Sequence, residues 1–135
     1  MRRCRIIIEA MSRLPMAKEL VLKVIQNASG PISSNEIQNK CTNFDRATIY
    51  RTLNTLKKDR LVRLVEIGDG AIRYESVEDH HHHLICLKCK SIHRVELPEI
   101  EEKRLSDIQQ KFQEETNFKC LEHSLEFFGV CANCK

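Results

Sequence analysis

Two cysteine pairs constrain this chain more than anything else in it: Cys86-Leu87-Lys88-Cys89 and Cys131-Ala132-Asn133-Cys134. Each pair has the spacing that lets two sulfurs grip one Zn2+ across a tight turn, and two pairs complete a tetrahedral four-thiolate site. Residues 90–130, 41 in number, separate them, more than a compact zinc ribbon needs. The metal would therefore clamp the start of this half of the chain to its end and close a long loop. Such a site is structural and leaves no coordination position open. A redox-active pair is the competing reading, but it lacks a neighbouring βαβ pattern and leaves the second pair unexplained. Cys4, Cys41 and Cys120 fall outside the pattern and read as ordinary thiols.

Immediately before the first pair stand His80, His81, His82 and His83. In a strand, successive side chains point to opposite faces, so His80 and His82 share one face and His81 and His83 the other. One short segment could then feed two ligands to each of two metal sites. In a reducing compartment, seven cysteines point to metal binding rather than a disulfide framework. The longest apolar run, Ile6-Ile7-Ile8, is far too short for a membrane span or a signal-peptide core, so the chain is expected to be cytoplasmic.

Charge divides the 135 residues unevenly: residues 1–75 carry +6 and residues 76–135 carry −3. A basic first half suits a polyanion, and the acidic, His/Cys-rich second half suits regulation. In the first half, Arg2, Arg3, Arg5 and Arg13 make a basic leading segment that could touch phosphates. Ala17, Leu20, Val21, Val24, Ile25 and Ala28 then follow helical spacing until Gly30-Pro31. Ser33-Ser34-Asn35-Glu36 reads as a capping box opening a short second helix. A third helix is expected from about Asp45 to Asp59, with Ile49, Leu53 and Leu56 inward. Arg46, Tyr50, Arg51, Asn54, Lys57 and Lys58 lie away from that stripe and offer donors for base edges and phosphates. Leu61–Ile67 and Ala71–Glu75 read as strands around the hairpin signal Gly68-Asp69-Gly70. Three helices followed by a hairpin make a winged helix-turn-helix, whose third helix enters the major groove of DNA.

In the second half, Ser91–Leu97 reads as a strand beside the histidine strand. Pro98 suits the first position of a helix running to about Glu115, with Leu105, Ile108 and Phe112 inward. Phe118–Val130 holds a further strand, in which His123, Leu125 and Phe127 share a face. The expected class is α+β, with a winged-helix DNA-binding domain over 1–76 and a small α/β metal-binding dimerisation domain over 77–135. Dimerisation would bury the remaining apolar surface and present two recognition helices to two half-sites.

The order of elements, Ala47-Thr48-Ile49-Tyr50-Arg51-Thr52-Leu53, the segment from His80 to Cys89, Glu122-His123-Ser124-Leu125 and the closing cysteine pair resemble the ferric uptake regulator family. That resemblance implies a homodimeric, metal-dependent transcription regulator, usually a repressor, acting on operator DNA. It implies structural Zn2+ on Cys86, Cys89, Cys131 and Cys134, and Tyr50 and Arg51 on the DNA-reading helix. It implies one metal site from His80, His82, Glu101 and His123, and a sensing site at the hinge from Glu75, His81 and His83.

The chain departs from the family pattern in three places. Gly30-Pro31-Ile32 stands where iron and peroxide sensors place a hinge histidine. Arg94 replaces an acidic residue of those sensors, and Glu75-Ser76 stands where zinc sensors often have a cysteine. Zn2+ is slightly favoured over Fe2+ or Mn2+ as the regulatory metal, because four ligands suffice for it; Glu66, Asp69 and His93 are candidates to complete the site. A peroxide-sensing regulator of the same family is the alternative. A zinc hydrolase or deaminase lacks HExxH and the HxE…PCxxC signature, and a metal store would leave the basic helix unused.

Overall fold

The computed structural model describes residues 16–135, in two units that meet in sequence between Asp79 and His80. The basic segment before Met16, with its expected phosphate contacts, lies outside the described residues. The sequence pattern puts a boundary after Ser76, at the end of the wing.

In the first unit, helix α1 (Met16–Asn27) buries Val21, Leu22 and Ile25. Its inward stripe is rotated slightly from the expected one: Leu22 is core, whereas Leu20 is 36% exposed. Helix α2 (Ser34–Lys40) opens on the expected capping box, with the Glu36 amide donating to Ser33 Oγ and Glu36 Oε2 accepting the Ser33 amide at 2.8 Å. Helix α3 (Arg46–Lys58) is capped by Asp45, whose Oδ1 accepts the Thr48 amide at 2.9 Å. Ile49, Leu53 and Leu56 are buried as expected. Thr52 joins them because its hydroxyl donates to the Thr48 carbonyl at 2.7 Å, which satisfies the only polar group it brings.

Strands β2 (Val62–Glu66) and β3 (Ile72–Ser76) form the antiparallel wing, in register from Val62↔Ser76 to Glu66↔Ile72. Gly68 and Gly70 both have φ of 79°, a conformation other residues enter at a cost, which is why the turn sits there. Strand β1 (Ile32–Ser33) pairs with β3 and makes this a three-stranded sheet. Two residues carry no periodicity, so the sequence pattern is silent about it. Val21, Leu22, Ile25, Ile37, Ile49, Leu53, Leu56, Val62 and Tyr74 form one continuous core. Each fully buried leucine contributes about 1.5–3 kcal/mol.

The second unit is thinner. Strand β4 (His82–Cys86) lies between antiparallel β5 (Ile92–Val95) and parallel β6 (Glu126–Gly129). Helix α4 (Glu99–Thr116) ends at Asn117 in the left-handed conformation. Pro98 is the N-cap of α4, not its first helical residue. None of its residues is buried: Ile108 and Phe112, expected inward, are 48% and 54% exposed. The last strand is also shorter than expected, and His123 and Leu125 precede it. The segment after Asn117 is held instead by irregular bonds, among them the Cys120 amide to Gln113 Oε1 at 3.0 Å. The class is α+β, with a winged helix-turn-helix followed by a small mixed-sheet unit.

Candidate metal centres and nucleic-acid interface

The two cysteine pairs converge. Cys86 ends β4, Cys89 closes the turn after it, and Cys131 and Cys134 flank a short 3-10 turn, Ala132–Cys134. The four sulfurs lie within 4.8 Å of one another, with Cys89 and Cys131 at 3.8 Å. A tetrahedron with Zn–S of about 2.3 Å has edges of about 3.8 Å, so the donor set fits Zn2+ in kind and in span. Main-chain donors are already aimed at the sulfurs. The Cys131 amide donates to Cys86 Sγ at 3.4 Å, and that bond is the largest cause holding the Cys86 thiol down at about 5. The Ser91 hydroxyl beside Cys89 holds that thiol below its ordinary value. Cys134 is pushed up to about 12, first by the neighbouring Cys131 thiol. Four thiolates cannot share this space without a cation; supplying one is what Zn2+ would do.

The alternation of the four histidines holds. His81 and His83 pair with ring centroids 5.0 Å apart, and His80 and His82 pair at 4.8 Å. His81, His82 and His83 are all buried, His82 fully. The His80/His82 face meets α4 and the segment before β6, but through a different carboxylate from the expected one. Glu102, and not Glu101, reaches the rings: its oxygens lie 3.0 Å from His80 Nε2, 2.7 Å from His82 Nε2 and 3.1 Å from His123 Nε2. Glu101 is turned about 100° away round the helix, where it pairs with Arg104 at 3.1 Å. Burial works against the charge of Glu102, yet the bonds to His82, His123 and His80 outweigh it and hold the carboxyl below its ordinary value. Three imidazoles and one carboxylate suit zinc, iron or nickel. Gln109, which no sequence signal marks, places Oε1 3.1 Å from His123 Nδ1.

In the first unit, Glu75 on β3 is buried and ion-paired to Arg63 across the wing. Asp69 is held by Arg73 at 2.7 and 3.0 Å, which brings its carboxyl down to about 2. Glu66 is exposed at the end of β2, and His93 bonds to Ser91 Oγ at 2.9 Å. Arg46, Tyr50, Arg51, Asn54, Lys57 and Lys58 are all exposed along α3, as its buried stripe requires. The Tyr50 hydroxyl is 3.3 Å from Ser34 Oγ, which ties the start of α2 to this face. The surface is one of exposed donors along one helix face.

Residues 9–128 match the ferric uptake regulator family. The ferric uptake regulation protein of Bacillus subtilis is 30% identical over 128 residues, covering 89% of this chain and 83% of that protein. The peroxide-responsive repressor of Staphylococcus epidermidis is 30% identical over 124 residues, covering 90% and 79%. Among solved structures, the ferric uptake regulator of Helicobacter pylori, described as having three functional metal binding sites, matches with a TM-score of 0.69 at 29% identity, covering 98% of this chain and 89% of that one.

Proposed function

The chain belongs to the ferric uptake regulator family, and on that premise we propose that it is a metal-responsive DNA-binding transcriptional regulator, a repressor of metal-homeostasis genes that holds operator DNA as a metal-loaded homodimer. The observation that carries this is the division of one histidine segment into two buried or half-buried ring pairs, set beside a four-thiol cluster. Cys86, Cys89, Cys131 and Cys134 hold structural Zn2+. His81 and His83, to which the sequence pattern adds Glu75, take the regulatory divalent metal, with Zn2+ slightly favoured. His80, His82, Glu102 and His123 make a second metal site.

Arg46, Tyr50, Arg51, Asn54 and Lys57 face DNA: the cations and amides position the helix on phosphates and base edges, and Tyr50 packs against the sugar or a thymine methyl. Regulation requires only that metal bind the DNA-competent arrangement better than the other. The first unit is the DNA-binding domain, and the second the dimerisation domain. The exposed apolar side chains of the second unit, Leu84, Ile108, Phe112, Phe127 and Phe128, are surface that a partner protomer would cover. No helix among the described residues is long and apolar enough to cross a membrane, and a DNA target puts the work in the cytoplasm. No catalytic step is needed.

The test is operator binding by the double variant Tyr50→Ala/Arg51→Ala. Binding should be lost while metal content stays unchanged; binding that survives assigns the wrong helix. Similarity to a peroxide-responsive repressor supports a second reading, in which peroxide rather than metal level releases DNA. Release of the metal-loaded protein by peroxide, with no response to metal concentration, would select it.

A further inference from the structure

The Ser33 side chain is spent on its own helix: its Oγ accepts the Glu36 amide at 3.3 Å and donates to Glu36 Oε2 at 2.8 Å. The next residue, Ser34, opens α2 and turns its hydroxyl elsewhere, to the Tyr50 hydroxyl of α3 at 3.3 Å. Ser34 is half-buried. The capping box fixes it from one side, and the pairing of Ser33 with Arg73 on β3 fixes it from the other. Tyr50 is 44% exposed and stands among the exposed donors of α3.

Two hydroxyls bring two O–H hydrogens, and the bond between them consumes one. Whichever oxygen donates, one hydrogen is left over for an outside acceptor. The donors in question are these hydroxyls and not the amides of α2, one of which the Ser33 cap already takes. A partner that fits carries acceptors and no donors, and settles on a surface made basic by Arg46, Arg51 and Lys57. A phosphate oxygen of the DNA backbone is such a partner, and Ser and Tyr side chains commonly contact one. Helix-turn-helix geometry agrees: the third helix lies in the major groove while the helix before it crosses the backbone. The start of α2, where Ser34 meets Tyr50, is thereby carried to a phosphate rather than to a base edge.

We infer that the Ser34 and Tyr50 hydroxyls act together as one phosphate contact, which makes Ser34 a DNA-contacting residue outside the reading helix. This rests on α3 being the helix that faces DNA. The pairing also withdraws the Tyr50 hydroxyl from base edges and leaves its ring to pack on the sugar or a thymine methyl. Both groups are neutral, so the contact adds affinity without releasing a counterion, unlike the lysines and arginines beside it.

The test uses the full chain with Zn2+ bound and a duplex which that protein selects from random-sequence DNA. Each phosphate of the duplex is replaced in turn by a neutral methylphosphonate. At one or more phosphates the replacement is expected to weaken the parent protein about 2–10-fold more than it weakens Ser34→Ala/Tyr50→Phe, the usual range for one hydrogen bond. On unmodified DNA, Ser34→Ala should lose a similar factor, Ser34→Thr should keep the parent affinity, and the salt slope should not change. With the two tyrosines labelled at 13Cζ, Ser34→Ala should move the Tyr50 signal of the free protein and leave that of buried Tyr74 in place. A scan in which every phosphate costs the parent and the double variant the same overturns the shared contact. If Tyr50→Ala/Arg51→Ala binds the duplex as the parent does, or no duplex is selected at all, the reading of α3 beneath it falls as well.

Discussion

The two units of this chain are held together by different means. In the first, helices α1, α2 and α3 and the wing strands close over one apolar core, with Leu53 and Leu56 fully buried. In the second, the buried apolar residues are Ile85 and Cys86, α4 buries nothing, and the other buried side chains are histidines. A unit so poor in core is organised by its ligand clusters, and the difference assigns each unit its job. On the proposed reading, the unit that presents the helix face would be stable on its own core, whereas the unit that responds to metal would depend on its ligands.

The sharpest way to break this contrast is to strip the structural zinc. A core below about 70–80 residues rarely supplies more than about 3–5 kcal/mol, while structural zinc in small domains contributes about 10–16 kcal/mol. Chelation is therefore expected to unfold residues 80–135 and leave the first unit folded, as read by amide exchange. Protected β4 and β6 amides in the zinc-free protein would contradict it. The mirror experiment is Leu53→Ala, which should cost the first unit about 2–5 kcal/mol in denaturant melts and leave bound zinc unchanged. Loss of zinc in that variant would mean that the units are not energetically distinct.

Within the second unit, Glu102→Gln should weaken the second metal by at least about tenfold, while Glu101→Gln should leave it unaltered, as measured by competition with a chromophoric chelator. Equal effects would return the carboxylate to Glu101. On the DNA face, Lys57→Ala should weaken operator binding uniformly across sequences and reduce its salt slope by about 1.

The smallest effect belongs to the capping box. The Ser33 amide holds the Glu36 carboxyl below its ordinary value. A group whose folded value is lowered contributes stability that is present above its unfolded value, 4.5, and is lost as pH falls through the lowered one. Glu36→Gln should therefore cost within about 0.5 kcal/mol at neutral pH, because the site is exposed. The gap from the parent protein should close in acid.

How much of this was legible in the sequence follows the same division. The first unit is written in local signals: a capping box, a three-residue apolar stripe on α3 and glycines flanking Asp69. Each acts within a few residues, so pattern and structure coincide. The cysteine pairs and the alternation of His80–His83 were legible too, because spacing alone decides which groups can share a centre. What was hidden depends on tertiary contacts. Whether Glu101 or Glu102 faces the rings turns on 100° of helix phase, set by where Pro98 starts α4. The main chain of the segment carrying His123 bonds to side chains instead of to a strand: the Cys120 amide to Gln113 on α4, and the Leu125 amide to His82, 43 residues away. The apolar residues of α4 were recognisable as a helix face, but nothing in them says that a single chain leaves that face uncovered.

The central claim is that metal bound by the second unit controls DNA binding by the first. It is tested most directly by titrating operator affinity with Zn2+, Fe2+, Mn2+ and Ni2+ on protein that retains only its structural zinc. The account predicts a rise of about 5–150-fold with the physiological metal, and no rise in the variant His81→Ala/His83→Ala. An affinity that ignores metal in the parent protein, or that still rises in the variant, would contradict it.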